Sequence, residues 1–132
     1  MFAEMPSTPP WRFDHVQLFA GAESPLDRLF IEVMSLREGA RPPFPFSGQW
    51  LYAGNQAVMH VIADRHAGKA VRFGHIAFRT ELAAEAVVER LNRAGFVHDV
   101  SIVPASGDAQ LFVSLPGGLV VELDAPVRSR SA

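Results

Sequence analysis

Two stretches of the chain share one pattern of polar and apolar positions. Residues 13–18 (FDHVQL) and residues 73–78 (FGHIAF) each run from an aromatic residue through a histidine to an apolar residue. Large apolar side chains follow the histidine at every second position, which is the period of a β-strand with one buried face. A helical pattern, a glycine and further strand patterns come after each stretch. The chain is therefore predicted to contain two copies of one structural unit.

The first unit continues with one helix and further strands. Apolar side chains in residues 26–34 have the spacing of an amphipathic helix, with Ser24 as its N-cap and Gly39 as its stop. The proline-rich residues 41–46 predict an edge strand or an irregular segment, because proline cannot donate to a strand ladder. The other strand patterns of this unit lie at residues 13–20, 49–53 and 57–63.

The second unit repeats this order. A strand over residues 73–79 leads into a helix that Thr80 caps and Gly95 ends. Three strand patterns follow, at residues 97–103, 109–115 and 119–123. Each unit therefore predicts the order βαβββ, and the chain predicts an α+β fold.

The two βαβββ modules are residues 13–63 and residues 73–124, and together they form one predicted domain over residues 13–124. We expect three segments outside the modules: a polar linker at residues 64–72, a flexible N-terminal arm at residues 1–12 and a tail at residues 125–132.

The strand alternation assigns opposite characters to the two faces of the sheet. One face is apolar and is expected to pack against the two helices. The other carries three histidines and a glutamate, at positions that match between the units: 45 residues separate His15 from His60, and 47 separate His75 from Glu122. Two histidines and one carboxylate with open positions suit Fe(II), among other metals. The alternative is a set of unconnected polar residues on a solvated face.

His60 has two interpretations. It is a fourth ligand or an acid–base group, since the pKa of histidine lies near neutrality, or it is a hydrogen-bonded histidine of a pocket. Arg79 is a candidate for holding a carboxylate or phosphate of a substrate. Trp50 and Tyr52 are candidates for a pocket wall, although core packing explains both equally well.

Composition narrows the possible functions. The 132-residue chain has a formal net charge of −2, so no basic field indicates binding to nucleic acid or to an anionic membrane. It contains no cysteine, which excludes disulfides, thiolate catalysis and cysteine-based zinc sites. It lacks an apolar run of the roughly 20 residues that span a membrane, and residues 1–10 lack a secretory signal pattern. A cytoplasmic location is expected.

In the order and spacing of its motifs, the chain resembles the vicinal oxygen chelate superfamily, which includes glyoxalase I, bleomycin-resistance proteins, fosfomycin-resistance enzymes and extradiol dioxygenases. The resemblance covers residues 13–124. The matching segments are residues 14–18, 36–39, 49–52, 59–62, 74–78 and 116–123. It implies two βαβββ modules that form an open, curved mixed β-sheet barrel with the helices outside, around one divalent metal ion (Fe, Mn, Zn, Ni or Co).

The resemblance also implies roles for individual residues. His15, His75 and Glu122 take the positions of metal ligands, and His60 takes the position of a group that moves protons. Glyoxalase I-like members carry a carboxylate where this chain has His60. Extradiol dioxygenases use a tyrosine on the strand before the glutamate, where this chain has Phe112, a further candidate for the substrate pocket.

Two functions of different classes follow. The first is a divalent-metal-dependent dioxygenase, lyase or isomerase that acts on a small molecule with vicinal oxygens. The alternative is a metal-free protein that binds a small molecule, as the bleomycin-resistance proteins bind their drug; a third possibility is a non-catalytic interaction domain. A homodimer is expected, and the barrel can form within one chain or across two swapped chains.

Overall fold

Eight strands form one mixed sheet in the computed structural model, which describes residues 10–128. The strands are β1 (Trp11–Ala20), β2 (Arg37–Gly39), β3 (Gly48–Ala53), β4 (Gln56–Ala63), β5 (Val71–Thr80), β6 (Asp99–Ile102), β7 (Ala109–Ser114) and β8 (Val120–Ala125). Their order is β2-β3-β4-β1-β5-β8-β7-β6. The edge strands β2 and β6 do not pair with each other, so the curved sheet stays open, and the predicted α+β fold is confirmed.

The repeat of the two units is visible in the strand register. The opening strands β1 and β5 pair antiparallel at the centre of the sheet, and each pairs in parallel with the closing strand of its own unit. In the first unit Gln17 lies opposite His60, and in the second Ala77 lies opposite Glu122. Both pairs lie two residues after an opening histidine, so His60 and Glu122 occupy equivalent places.

Each unit packs its own apolar cluster on the sheet face that was predicted to be apolar. The first contains Leu51, Met59 and Val61 of the sheet, with Leu26 and Phe30 packed on them from the helical side. The second cluster joins two elements: it contains Val87 and Leu91 of the helix α1 (Ala84–Ala94) and Leu111, Val113 and Ala125 of the sheet. Burying each such side chain contributes roughly 1.5–3 kcal/mol to the free energy of folding. Because the apolar side chains occupy this face, the polar residues lie on the opposite face of the sheet.

The two predicted helices differ in length and type. The helix of the second unit, α1, has Ala83 and not Thr80 at its N-cap; the Thr80 Oγ1 accepts a hydrogen bond from the Leu82 amide in the turn before it. Gly95 ends α1 in a left-handed conformation, as predicted. In the first unit the helix is a six-residue π-helical segment, Arg28–Val33. Gly39 is not its stop.

An early turn explains why the first helix is short. Ser35 adopts a positive φ of 61°, and the Leu36 amide donates to the Phe30 carbonyl oxygen at 2.9 Å. This pattern ends a helix and turns the chain. Gly39, the predicted stop, lies in β2 instead.

Several predicted boundaries shift when the strands form. Trp11 and Arg12, assigned to the arm, begin β1; Val71 and Arg72, assigned to the linker, begin β5; and Ala125, assigned to the tail, ends β8. Residues 41–46 belong to no strand. Residues 1–9 of the predicted arm and residues 129–132 of the predicted tail lie outside the described residues. Within residues 10–128, no helix has the length and apolar character needed to cross a membrane.

Candidate metal centre

Three of the predicted site residues meet on the polar face of the sheet. His15 comes from β1, His75 from β5 and Glu122 from β8. His75 Nε2 lies 2.8 Å from Glu122 Oε1, and His15 Nε2 lies 3.7 Å from Glu122 Oε2. Ala77 stands between His15 and Glu122 in the strand register, and its small side chain leaves them room to approach each other.

The atoms that converge here lack hydrogen-bond partners. His15 Nε2, His75 Nε2 and Glu122 Oε2 are buried, and none of them forms a hydrogen bond with a described group; the 2.8 Å approach of His75 Nε2 to Glu122 Oε1 is a close contact without hydrogen-bond geometry. A buried polar atom without a partner costs about 1–3 kcal/mol. One ligand atom from each residue lies within 4.8 Å of the others, and imidazole nitrogen and carboxylate oxygen are common metal ligands. The three residues therefore fit a divalent metal ion.

Asp14 orients His15 from the other side of the ring. Its Oδ2 lies 2.7 Å from His15 Nδ1, so Nδ1 donates to the carboxylate and the Nε2 lone pair faces Glu122. A register irregularity between Phe13 and His15 makes Asp14 the extra residue of a β-bulge. Gln56 donates a 2.7 Å hydrogen bond to the Asp14 carbonyl oxygen. Regular alternation placed Asp14 on the opposite face, so the sequence analysis missed it.

A glycine makes a close approach possible on β5. A second register irregularity lies between Gln17 and Leu18, opposite Gly74. A Cβ atom on Gly74 would overlap Gln17 Oε1, so only glycine allows the buried Gln17 side chain to lie beside His75.

His60 packs between two rings instead of joining Glu122. Its imidazole stacks on the rings of His15 and Trp50, with ring centroids 3.4 Å and 3.7 Å apart and interplanar angles of 17° and 9°, respectively. Burial, together with the neighbouring His15, lowers the pKa of His60 from 6.5 to about 2, so the ring is neutral at physiological pH. A general base works best with a pKa near the working pH, so this lowered pKa makes His60 a weak base in the metal-free site.

Asp14, His15 and His60 also have ligand atoms within 4.8 Å of one another. Asp14 already occupies His15 Nδ1, however. The rings of His15 and His60 are also stacked nearly parallel, so a single ion cannot lie in both ring planes. The Glu122 set is therefore the better metal centre.

Asp124 is a buried carboxyl that was not among the predicted site residues. It lies two residues after Glu122 and therefore on the same face of β8. Burial and the adjacent Glu122 raise the pKa of Asp124 to about 9, and burial also raises the pKa of Glu122. The two carboxyl groups thus hold a proton between them near neutral pH. The spacing of two residues on a strand was the signal that could have identified Asp124.

His75 and Glu122 line a cavity of about 420 Å³, and His15 lines the adjoining cavity of about 300 Å³, which also reaches Glu122. Trp50, His60 and Phe112 line the larger cavity, as do Arg41, Phe44 and Phe46 from the proline-rich segment. Phe112 contacts His75 edge to face, with ring centroids 5.6 Å apart. The contribution of residues 41–46 was not predictable from periodicity, because these residues pack against the sheet without regular secondary structure.

Two candidate pocket residues lie elsewhere. Tyr52 does not line this cavity; its hydroxyl donates to the Ala40 carbonyl oxygen and its ring covers Gly39. Arg79 lines the adjoining cavity of about 300 Å³ and forms a 2.8 Å ion pair with Asp108. Its guanidinium group is therefore already neutralised.

Solved structures share this fold at low sequence identity. A methylmalonyl-CoA epimerase from Mycobacterium tuberculosis is 15% identical with a TM-score of 0.66, and the match covers 92% of this chain and 93% of the epimerase. A 2,3-dioxygenase from Pseudomonas sp. KL28 is 15% identical with a TM-score of 0.67, and the match covers 92% of this chain and 43% of the dioxygenase.

A Mn(II)-bound glyoxalase from Novosphingobium aromaticivorans is 15% identical with a TM-score of 0.60, and the match covers 91% of this chain and 41% of the glyoxalase. The chain thus spans nearly the whole epimerase but less than half of the other two proteins. No protein-family model matches the sequence, and no curated protein matches it. The likeness establishes the fold, and all three neighbours are enzymes.

Proposed function

The chain has the vicinal oxygen chelate fold, and from that premise we propose that it is a divalent-metal-dependent enzyme acting on a small molecule with two adjacent oxygens. One observation carries the proposal: buried ligand atoms of His15, His75 and Glu122 without hydrogen-bond partners converge beside a cavity that His75 and Glu122 line. The enzymatic neighbours do not favour the alternative of a metal-free binding protein.

The roles of the residues follow from their geometry. His15 Nε2, His75 Nε2 and the Glu122 carboxylate would hold the ion. A bound divalent metal supplies a Lewis acid that attracts adjacent oxygens and stabilises negative charge on them. Asp14 holds His15 in the tautomer that leaves Nε2 free. His60 and Trp50 form a stacked wall that excludes water from one side of the site.

The cavity wall favours isomerase or lyase chemistry. The residues that line the 420 Å³ cavity include Phe112 and no tyrosine, so no phenol hydroxyl is available beside the triad. Oxygen-dependent cleavage is the second candidate, because two histidines and one carboxylate with open positions suit Fe(II) oxygenases. The identity of the metal taken up separates the two classes.

Metal analysis of the protein purified without a metal-affinity column tests the proposal. We expect about one divalent ion per chain, its loss in His75→Ala and its retention in His66→Ala, which removes an exposed histidine outside the cavity. Iron would favour dioxygenation, whereas nickel or zinc would favour isomerase or lyase chemistry. If the wild-type protein holds no metal and takes up none of Fe, Mn, Zn, Ni and Co, the enzyme proposal is wrong and the binding protein becomes the better hypothesis.

A further inference from the structure

Among residues 10–128, Arg41 is the only lysine or arginine that lines the 420 Å³ cavity. Its Nη2 donates to the Phe46 carbonyl oxygen, and its guanidinium carbon lies 6.0 Å and 5.6 Å from the ring centroids of Phe44 and Phe46. The ion pairs of residues 10–128 do not include Arg41. Within the described part of the chain, the cavity therefore contains one cationic side chain that is not in an ion pair.

The contrast with Arg79 makes this charge distinctive. Arg79, in the adjoining cavity, contacts Asp108 at 2.8 Å and Glu81 at 3.5 Å. The partly buried Asp108 and the more exposed Glu81 thus balance its charge. Arg41 has only a backbone carbonyl and two phenyl rings, which leaves part of its hydrogen-bonding capacity for a ligand.

Arg41 is separated from the triad by a series of ring contacts. His15 stacks on His60, and His60 stacks on Trp50. The ring centroids of Trp50 and Phe44 are 6.4 Å apart, and the Phe44 ring in turn lies beside the Arg41 guanidinium group. The cavity lining also includes the apolar side chains of Ile62, Ile102 and Phe112. One cavity thus combines two residues of the triad, apolar side chains and one cation.

We propose that Arg41 binds a carboxylate of the substrate. The two adjacent oxygens of the same substrate then lie at the His15, His75 and Glu122 centre, and its apolar body lies in the cavity between that centre and Arg41. This inference rests on the proposed function. A guanidinium group binds a carboxylate through charge-assisted hydrogen bonds. A single cation matches the single charge of a carboxylate, whereas a phosphate dianion would leave charge uncompensated.

Two matched probes test the inference. 3,4-Dihydroxyphenylacetate and 4-methylcatechol share a ring with two adjacent oxygens and differ by one carboxylate. Their affinities for the zinc-loaded protein are measured by calorimetry without oxygen. We expect the carboxylate probe to bind roughly tenfold tighter or more, which is the strength of a charge-assisted hydrogen bond. Arg41→Gln should bring the ratio of the two affinities close to one, and Arg41→Lys should restore part of it.

Arg65→Gln is the matched control, since it removes the same charge from an exposed residue that does not line the cavity. It should leave the ratio unchanged. If Arg41 only held the proline-rich segment in place, Arg41→Gln would weaken both probes alike, and that result overturns the inference. Equal affinities in the wild-type protein, or no binding of either probe, also overturn it. The zinc content of the same samples tests the proposed function separately.

Discussion

His60 and Glu122 occupy equivalent places in the two units, yet their side chains have different surroundings. Each lies opposite the residue that comes two positions after an opening histidine. Glu122 reaches between His15 and His75, whereas His60 lies flat between His15 and Trp50. Strand register therefore sets the position of a residue, and the shape of its side chain sets what it does there. A carboxylate presents oxygens at its tip, and an imidazole presents a flat face for stacking.

The two units also contribute different parts of the candidate site. The second unit provides His75 and Glu122, two of the three converging residues. The first provides His15 and most of the aromatic wall, including Trp50 and Phe44. Under the proposed function, the second module would supply most of the metal ligands and the first most of the substrate contacts, and three changes test this division.

The largest expected effect compares one amide substitution at the two equivalent positions. Glu122→Gln should lower the affinity for a divalent metal by roughly 100-fold or more, because loss of an outer partner alone costs about 10–100-fold. His60→Gln should lower it by less than about tenfold, since His60 packs against His15 but does not converge on Glu122. Competition with a chromophoric chelator measures both. Equal losses would mean that His60 is a ligand and that the two units are chemically alike.

A smaller effect is expected at the β-bulge of the first unit. Asp14→Ala removes the acceptor of the His15 Nδ1 proton and should lower metal affinity roughly 10–100-fold. Asp14→Asn should lose less, because its side-chain oxygen still accepts the hydrogen bond. Nitrogen NMR of His15 reports whether Nδ1 keeps the proton. Asp99→Ala is the control on an exposed strand residue, and a similar loss there would remove the role assigned to Asp14.

The third expected effect is on stability instead of metal affinity, and it is a pH dependence that belongs to the second unit. Asp124 has a folded-state pKa of about 9 against an ordinary value of 3.8, so the folded protein binds more protons than the unfolded chain between these values. Its contribution to stability is complete below about pH 4 and is lost as pH rises toward about pH 9.

Thermal unfolding of the metal-free protein measures this dependence. The melting temperature of the wild-type protein should fall as the pH is raised from about 6 to about 9. The melting temperature of Asp124→Asn should fall less over the same range, because the amide does not titrate. His60→Gln serves as the comparison, since the pKa of His60 is lowered and its titration affects stability only on the acid side. Identical slopes in the wild-type protein and Asp124→Asn would contradict the assignment of the shared proton.

Much of the architecture was predictable because it depends on local periodicity. The alternation around His15 and His75 identified the two opening strands, and the matched spacing of His60 and Glu122 identified the closing ones. The short first helix was not predictable, since its end depends on the conformation of Ser35.

The sequence by itself determined the repeat, the α+β fold and the face on which the histidines and Glu122 lie, because strand period and strand order are properties of the chain. Tertiary structure alone decided that Asp14 turns toward His15, that His60 lies between two rings and that Arg41 reaches the cavity from an irregular segment. The physical reason is that a bulge, a stacking contact and a loop position each depend on neighbours distant in sequence, and alternation within one strand does not encode them.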